Sequence, residues 1–157
     1  MDQRLRAVCP QCSHIHYENP RLVVGCVAEW AGKILLCRRA IEPRLGLWTL
    51  PAGFMELGET TAEAAIRETL EEACAQVIID APFALANLGH VGQVHLFYRG
   101  QLTNGEFAAG EESLETALLS PAEIPWSALA FRSVDFCLRR YLADRDTGVF
   151  GFHCTDF

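Results

Sequence analysis

The order of the sequence patterns predicts an α+β fold in which one mixed β-sheet lies between helices. Two β-rich runs come first, a helical pattern follows near the middle, and further strands precede a second helical pattern near the C-terminus. Hydrophobic residues make up 50% of the 157 residues, which is enough apolar surface for one compact domain. Because strands and helices alternate in blocks, we expect helices on both faces of the sheet.

The predicted strands are short and separated by turn signals. From Pro20 onward, two β-rich runs are joined by Ala31-Gly32, which predicts a hairpin. The run WTLPAG is expected to be extended, because the residue before Pro51 is kept out of the helical region. The runs QVIID, FALANL, QVHLFYRGQL and LETALL are predicted to be strands, and Asn104-Gly105 marks a turn among them.

Two helices are predicted from capping residues and apolar spacing. Thr60 and Glu63 fit a capping box at the start of the first helix. The predicted core face of this helix consists of Ala62, Ala65, Ile66, Thr69, Leu70 and Ala73. Ser133 is expected to cap the second helix. The predicted apolar stripe of the second helix consists of Val134, Cys137, Leu138 and Tyr141.

The first helix carries an unusual concentration of carboxylates. Six glutamates and a single arginine lie between Gly53 and Ala75. Like charges three and four residues apart on a helix repel by about a few tenths of a kcal/mol per exposed pair. Glu68, Glu71 and Glu72 share one side of the helix, which we expect to point away from the apolar stripe. Three such carboxylates can hold a hard cation such as Mg²⁺, although a solvated acidic face fits the same spacing.

The composition argues against several functional classes. The formal net charge is −7, whereas broad nucleic-acid binding needs a basic surface that displaces counterions. The same charge disfavours docking on an anionic membrane. Seven scattered cysteines, of which Cys26 and Cys37 lie in apolar runs, indicate free thiols in a reducing compartment. Since the N-terminus also lacks an apolar signal region, we expect a cytoplasmic protein with neither nucleic-acid nor membrane partners.

The residues around the glutamates form a longer pattern. It consists of Gly53, Glu59, Arg67, Glu68, Glu71 and Glu72 at fixed spacing. This pattern resembles the Nudix box, the signature of the Nudix hydrolases, and the preceding segment LWTLPAGFMELGE is similar as well. The resemblance implies the Nudix fold, an α/β/α sandwich in which the box forms a loop, a helix and a loop.

Two positions depart from the usual box. Cys74 stands where the family usually has glycine, and Thr69 stands where an aliphatic residue is usual. Glycine at position 74 would permit a left-handed helix end, which a cysteine reaches at a cost of about 1 kcal/mol. Because both positions are structural, we expect them to affect the exit from the helix and not the metal ligands.

From about Arg4 to Phe152, the chain resembles a particular branch of the family. That branch comprises the plant chloroplast FAD/ADP-ribose pyrophosphohydrolases and bacterial relatives with an N-terminal zinc ribbon. The segments that carry the likeness are NPRLVVGCV, KILLCRR, GLWTLPAGFMELGE, ESLE and EIPWSALAF. The resemblance implies Mg²⁺-dependent cleavage of a nucleoside diphosphate linked to another moiety, with Mn²⁺ as an alternative metal. FAD or ADP-ribose is the expected substrate, and AMP plus a phosphorylated fragment are the expected products.

The resemblance also implies roles for individual residues. The implied metal site comprises Glu68, Glu71, Glu72, Glu56 and a backbone carbonyl near Gly53. The implied catalytic set comprises Glu68, Glu71, Arg67 and Glu115. Arg67 is expected to orient Glu59 or Glu71, and a plain ion pair with Glu71 fits equally well. The general base is left open among Glu111, Glu112 and Glu115, with Glu115 favoured. The candidate substrate-binding residues are Arg38, Arg39, Arg44 and Glu112. His90 and His95 receive no role.

Other functions remain as alternatives. NADH or nucleoside triphosphates could be the substrates, although the SQPWPFP motif of NADH-cleaving relatives is absent from the sequence. A non-catalytic nucleotide-sensing Nudix domain is disfavoured because all box glutamates are present. A zinc-ribbon nucleic-acid adaptor is disfavoured by the charge and by the single CxxC pair. The sequence leaves the oligomeric state open, with a homodimer as one alternative.

The N-terminal segment carries that pair, Cys9 and Cys12, which resembles half of a zinc ribbon. A four-cysteine site needs a second CxxC some 15–20 residues away. In the branch that the chain resembles, the other half precedes this one, and only eight residues precede Cys9 here. The CxxC pair by itself does not predict bound Zn²⁺. Three interpretations of the pair stay open, namely a remnant of a ribbon, an early truncation and a zinc site shared across a dimer. We therefore divide the chain into a remnant half-ribbon at 1–19 and a Nudix domain at 20–157.

Overall fold

The computed structural model describes residues 4–157, and residues 1–3 of the predicted half-ribbon segment lie outside this range. The ten strands are β1 (Ala7–Val8), β2 (Ile15–His16), β3 (Arg21–Trp30), β4 (Lys33–Arg39), β5 (Trp48–Thr49), β6 (Ala52–Phe54), β7 (Val77–Leu88), β8 (Gln93–Leu102), β9 (Ser113–Leu119) and β10 (His153–Asp156). The two α-helices are α1 (Thr61–Ala73) and α2 (Arg132–Thr147). Short 3₁₀ segments lie at Gly89–Val91, Pro121–Glu123 and Trp126–Ala128.

Eight of these strands form one mixed sheet. Its order is β10-β7-β8-β3-β4-β5, with β6 paired to β3 and β9 paired to β4. The β3–β8 and β7–β10 pairs are parallel and the others are antiparallel. The strands β1 and β2 form a separate antiparallel hairpin. Among residues 4–157, no helix is long and apolar enough to cross a membrane.

The sheet is covered on both faces, as the sequence predicts. Val24 and Cys26 of β3 belong to a buried cluster that includes Ala64 of α1. Val27 of the same strand belongs to a second buried cluster, which includes Val134 of α2. Since neighbouring strand residues point to opposite faces, β3 contributes to both cores. The predicted α/β/α layering is therefore confirmed.

The strands β3 and β4 separate along their length. They pair only near the Ala31-Gly32 turn, at Glu29↔Ile34 and Trp30↔Lys33. Farther from that turn, β3 pairs with β6, whereas β4 pairs with β5 and β9. The sheet consequently opens between the two strands, and this opening positions the site described below.

Both predicted features of the α1 ends are confirmed. At the start, the Glu63 amide donates to Thr60 Oγ1 at 3.2 Å, and the Thr60 amide donates to a Glu63 carboxylate oxygen at 2.7 Å. These two bonds complete the capping box. At the end, Cys74 adopts a left-handed conformation with φ of 47°. The usual glycine is thus replaced by a residue that accepts the strained conformation.

The predicted core face of α1 is partly wrong. Ile66 and Leu70 are 40% and 51% exposed, whereas Glu68 and Glu72 are only 8% and 6% exposed. The helix is rotated so that the carboxylates, and not the larger apolar residues, approach the sheet. Small alanines on the buried face permit a close approach, and the buried carboxylates are stabilised by the hydrogen bonds described below.

Two other predictions need correction. QVIID and FALANL belong to one strand, β7, whose register with β8 is irregular near Asp80 and Phe83. Ser133 does not cap α2, because the helix begins one residue earlier and Phe131 occupies the cap position. Ser133 is instead fully buried and contacts His95. The predicted apolar stripe of α2 is buried as expected.

Candidate functional site

A cleft of about 1140 Å³ lies where β3 and β4 separate. One wall carries the carboxylates of α1, and strand β6 with Gly53 lies beside them. The other wall is formed by β8 and by the start of α2. The cleft therefore joins an acidic region to a region that contains aromatic and cationic side chains.

Arg67 organises the acidic region. Its Nε and Nη2 atoms donate to the two carboxylate oxygens of Glu59 at 3.0 and 2.7 Å. Its Nη1 atom donates to Glu68 at 2.6 Å and to Glu71 at 3.1 Å, and Nη2 also donates to the Phe54 carbonyl at 3.0 Å. These bonds engage all five N–H groups of the guanidinium. Arg67 is thus fully occupied by the protein, and the Glu59 pKa is held near 2, chiefly by its hydrogen bonds to Arg67.

Glu72 is the most deeply placed carboxylate of the set. One of its oxygens accepts a hydrogen bond from the Ala52 amide at 3.1 Å. Burial raises the Glu72 pKa to about 8, and the nearby Glu68 charge adds to that effect. Burial likewise raises the pKa of Glu68. The fold therefore holds two carboxylates whose ionised forms are disfavoured by burial.

Gly53 lies directly against this cluster. A Cβ atom built on Gly53 would overlap the carboxylate of Glu68. Glycine is required here because the β6 backbone and the carboxylate approach so closely. The Gly53 carbonyl lies on the same short strand, β6, as the Ala52 amide that binds Glu72.

A second loop closes the acidic region from the other side. The Ala108 and Gly110 amides donate to the Ala73 and Glu72 carbonyls at 2.9 and 3.0 Å, which satisfies the end of α1. A Cβ atom at Gly110 would overlap the α1 backbone at Glu71. This contact brings the loop to the helix end, and its residues Glu111 and Glu112 line the cleft.

The predicted substrate-binding arginines separate into two groups. Arg39 and Arg44 line the cleft, and Arg39 stacks over the Phe131 ring at 5.1 Å from its centroid. Arg38 lies outside the cleft lining and pairs with Glu115 at 3.7 Å. Glu115, the favoured general base, is therefore paired on the exposed surface of β9. Among the predicted general bases, Glu111 and Glu112 lie in the cleft.

Three residues on the opposite wall had no predicted functional role. Gln93 and His95 of β8 line the cleft, and Ser133 of α2 lies behind them. His95 is only 6% exposed, and burial lowers its pKa to about 4. The alternating pattern of β8 could have placed Gln93 and His95 on one face. Their partner on α2, however, is distant in the sequence.

The carboxylates fit a hard divalent cation. Glu68, Glu71 and Glu72 each use one oxygen in the hydrogen bonds above. Within residues 4–157 their second oxygens have no hydrogen-bond partner, and none of them is a buried unsatisfied atom. In the same range, no three His, Cys, Asp or Glu side chains are positioned close enough together to hold a metal ion as they stand. The donor set nevertheless consists of carboxylate oxygens, which Mg²⁺ and Mn²⁺ prefer.

The N-terminal cysteines lie on the turn between β1 and β2. The Cys9 amide donates to the His14 carbonyl at 2.9 Å, and hydrogen bonds from the Cys12 and Gln11 backbone lower the Cys9 pKa. All seven cysteines are free thiols, and Cys26 and Cys37 are buried as predicted. The absence of bound Zn²⁺ at Cys9 and Cys12 stays a prediction.

Without a divalent cation, the stability of the protein should depend on Glu72 ionisation. The unfolded chain releases this proton near pH 4.5, whereas the folded protein holds it up to about pH 8. The free energy of unfolding should thus fall by on the order of a few kcal/mol as the pH rises through this interval. Urea unfolding of wild type and Glu72→Gln at several pH values tests this effect, because groups that do not interact with Glu72 titrate equally in both proteins. We expect the variant's advantage to grow with pH and to shrink when Mg²⁺ is added. A constant difference would contradict the prediction.

Comparison with known proteins identifies the family. The sequence profile of the NUDIX domain matches residues 19–134. The crystal structure of a NUDIX hydrolase from Nitrosomonas europaea has a TM-score of 0.92 and 47% identity, and the match covers 97% of this chain and 88% of that one. The chain therefore belongs to the Nudix family, whose hydrolases act on pyrophosphate bonds. The predicted fold and the predicted enzyme family are confirmed.

Two curated relatives show the range of activities among similar proteins. ADP-ribose pyrophosphatase from Methanocaldococcus jannaschii is 30% identical over 115 residues, which are 69% of this chain and 67% of that protein. NAD-capped RNA hydrolase NudC from Photobacterium profundum is 29% identical over 127 residues, which are 79% of this chain and 47% of that protein. The chain thus spans between about half and two thirds of these relatives.

Proposed function

We propose that the protein is a Mg²⁺-dependent pyrophosphohydrolase that cleaves a nucleoside diphosphate linked to another moiety, most readily ADP-ribose or FAD. The observation that carries this proposal is the cluster of Glu68, Glu71 and Glu72 beside Gly53 at one end of a large cleft. A substrate with two linked phosphates and two larger groups suits a cleft of about 1140 Å³. The activity named for the archaeal relative supports ADP-ribose. The sequence likeness to the zinc-ribbon branch supports FAD.

In this proposal, the cation is held by Glu68, Glu71, Glu72, Glu56 and the Gly53 carbonyl. When bound, Mg²⁺ would offset the charge of the pyrophosphate and make a water molecule more acidic; Mn²⁺ would serve in the same way. Arg67 fixes the carboxylates and does not contact substrate, because all its donors are already used. It is a positioning residue.

Other charged residues of the cleft also have proposed roles. Arg39 and Arg44 supply positive charge for the substrate phosphates. Glu112 replaces Glu115 as the favoured general base, because it lines the cleft and lies near enough to interact electrostatically with Glu68 and Glu72. Its position in the cleft also supports the prediction that Glu112 contacts the substrate.

NADH is the second candidate substrate. The relative named as an NAD-capped RNA hydrolase is the observation in its favour. Nucleoside triphosphates stay an alternative, because a relative from Bacillus subtilis that is named as a putative 8-oxo-dGTP diphosphatase is 35% identical over 95 residues. A non-catalytic sensor domain has no comparable support. The division at residue 19, a homodimer, the cytoplasmic location and the absence of nucleic-acid partners stay predictions.

The substrate proposal predicts a particular set of products. ADP-ribose should yield AMP and ribose 5-phosphate, and FAD should yield AMP and FMN, because cleavage occurs within the pyrophosphate. Each of ADP-ribose, FAD, NADH and ATP is incubated with enzyme and Mg²⁺, and nucleotides are separated by chromatography. Omission of Mg²⁺ is the control and should abolish product formation. A clear preference for ATP, with release of inorganic phosphate or pyrophosphate, would overturn the substrate proposal but not the family assignment.

A further inference from the structure

Three polar side chains on the wall opposite the carboxylates form a continuous relay. Ser133 Oγ lies 2.8 Å from His95 Nδ1, and His95 Nε2 lies 2.9 Å from Gln93 Oε1. Ser133 is fully buried and His95 nearly so, whereas Gln93 is half-buried at the cleft surface. The relay therefore runs from the interior of the protein to the cleft.

The hydrogen-bond partners fix the direction of this relay. If His95 Nδ1 carried the proton and donated to Ser133, the buried Ser133 hydroxyl hydrogen would have no acceptor. Burying an unsatisfied donor is costly, so the Ser133 hydroxyl donates to Nδ1 and the ring proton resides on Nε2. Nε2 then donates to the Gln93 carbonyl oxygen. Burial keeps the His95 ring neutral at physiological pH by lowering its pKa to about 4.

The Gln93 amide is consequently held in one orientation. Its oxygen is engaged by His95, and its nitrogen has no hydrogen-bond partner among residues 4–157. No buried side-chain nitrogen or oxygen in that range lacks a partner, so this nitrogen is accessible. Since Gln93 lines the cleft, the relay presents two N–H donors there.

The surroundings of Gln93 are apolar and aromatic. Leu88 is its cross-strand neighbour on β7, and Val91 lies in the short connection between the two strands. The Phe131 ring lies 6.4 Å from the His95 ring between centroids. The chain end is also held nearby, because the Phe157 amide donates to the Asn87 carbonyl at 2.9 Å. Such walls suit a flat heteroaromatic group.

The strand register places this region at a useful distance from the carboxylates. Gln93 pairs with Arg21 on β3, and Gly53 of β6 pairs with Val24 on the opposite side of the same strand. Two strand spacings separate β8 from β6, or roughly 10 Å, and the three-residue offset adds roughly 10 Å along the strands. A heterocycle at Gln93 and a diphosphate at Gly53 can thus belong to one molecule.

We propose that Gln93 is a specificity-determining residue that binds the heteroaromatic ring of the substrate through a ring nitrogen or carbonyl acceptor. His95 and Ser133 are positioning residues that hold its amide for this purpose. The proposal rests on the proposed function, because it takes the diphosphate to lie at the carboxylates. It adds a base- or flavin-binding subsite to that function.

Variants of Gln93 test the subsite directly. Gln93→Glu keeps an oxygen for His95 but removes both N–H donors, and Gln93→Met removes all hydrogen bonding at similar size. Each should raise KM for ADP-ribose or FAD about tenfold and change kcat little, because the lost contact is remote from the reacting phosphates. Gln101→Met, an exposed residue at the other end of β8, is the matched control and should behave as wild type.

A second set of variants tests the relay. Ser133→Ala should raise KM, as the Gln93 variants do. Ser133→Thr keeps the hydroxyl and should have a KM close to that of wild type. In ¹⁵N-histidine NMR spectra, wild type should show the Nε2–H tautomer of His95, and Ser133→Ala should lose that preference. If the role of Ser133 is purely structural, Ser133→Ala should lower the melting temperature, and its KM should equal that of Ser133→Thr.

Failure of the subsite can be told apart from failure of the proposed function. Unchanged KM in active Gln93→Glu and Gln93→Met enzymes would overturn the subsite alone. If wild type cleaves none of the four substrates, the proposed function fails. The subsite is then tested by calorimetric titration with AMP and with FMN. Binding of either one that weakens about tenfold in Gln93→Glu supports the subsite, and equal affinities overturn it.

Discussion

Glu72→Gln is expected to lower kcat by at least about a hundredfold while leaving the fold intact. The amide keeps the size of the side chain and can still accept the hydrogen bond from Ala52. It removes, however, a negative charge that a hard cation needs. The loss should therefore appear in turnover at saturating Mg²⁺, and the circular dichroism spectrum should not change.

Two comparisons make this experiment decisive. Glu18→Gln changes an exposed glutamate far along the chain from the box and should retain wild-type turnover. Binding of Mn²⁺, followed by electron paramagnetic resonance, should weaken in Glu72→Gln but not in Glu18→Gln. Unchanged kcat and unchanged Mn²⁺ affinity in Glu72→Gln would show that α1 is not the metal site.

Arg67→Ala is expected to produce the largest loss of stability, about 3–5 kcal/mol, because it leaves buried carboxylates without their partner. Arg67 side-chain atoms bind Glu59, Glu68 and Glu71 at once, and the Glu59 and Glu68 side chains are only 15% and 10% exposed. Arg67→Lys keeps the charge but cannot reproduce the two parallel bonds to Glu59. We expect this variant to fold and to lose about ten- to a hundredfold in kcat.

The measurements are urea unfolding for Arg67→Ala and steady-state kinetics for Arg67→Lys. Arg139→Ala and Arg139→Lys are the matched controls, because Arg139 forms an exposed pair with Asp135 on α2. Exposed pairs of this kind contribute about 0–1 kcal/mol, so the controls should differ little from wild type. Wild-type kcat in Arg67→Lys would contradict the view that the guanidinium geometry positions the carboxylates.

Features that depend on nearby residues could be predicted from the sequence alone. The capping box of α1 requires only Thr60 and Glu63, which lie within one helical turn. The left-handed position of Cys74 follows from where the helix stops. The box spacing predicted which carboxylates cluster, because side chains three and four residues apart share a helix face. The alternating and periodic apolar patterns predicted the layers of the fold.

Which of those residues face the cleft depends on contacts between elements that are distant in the sequence. The sequence placed Ile66 and Leu70 in the core, but the alanines of α1 let the helix rotate its carboxylates toward the sheet. A pattern within one helix cannot show this, because the Ala52 amide that stabilises buried Glu72 comes from a separate strand, β6. The bond between Glu72 and Ala52 spans 20 residues of sequence.

The same limit applies to the remaining candidates. Arg38 and Arg39 are neighbours in sequence, yet only Arg39 lines the cleft, since strand neighbours point to opposite faces and the register shifts between them. The relay of Gln93, His95 and Ser133 joins β8 to α2 across 38 residues. Burial and hydrogen bonding of these groups depend on the separation of β3 and β4 and on the packing of α2, which are long-range properties of the folded chain.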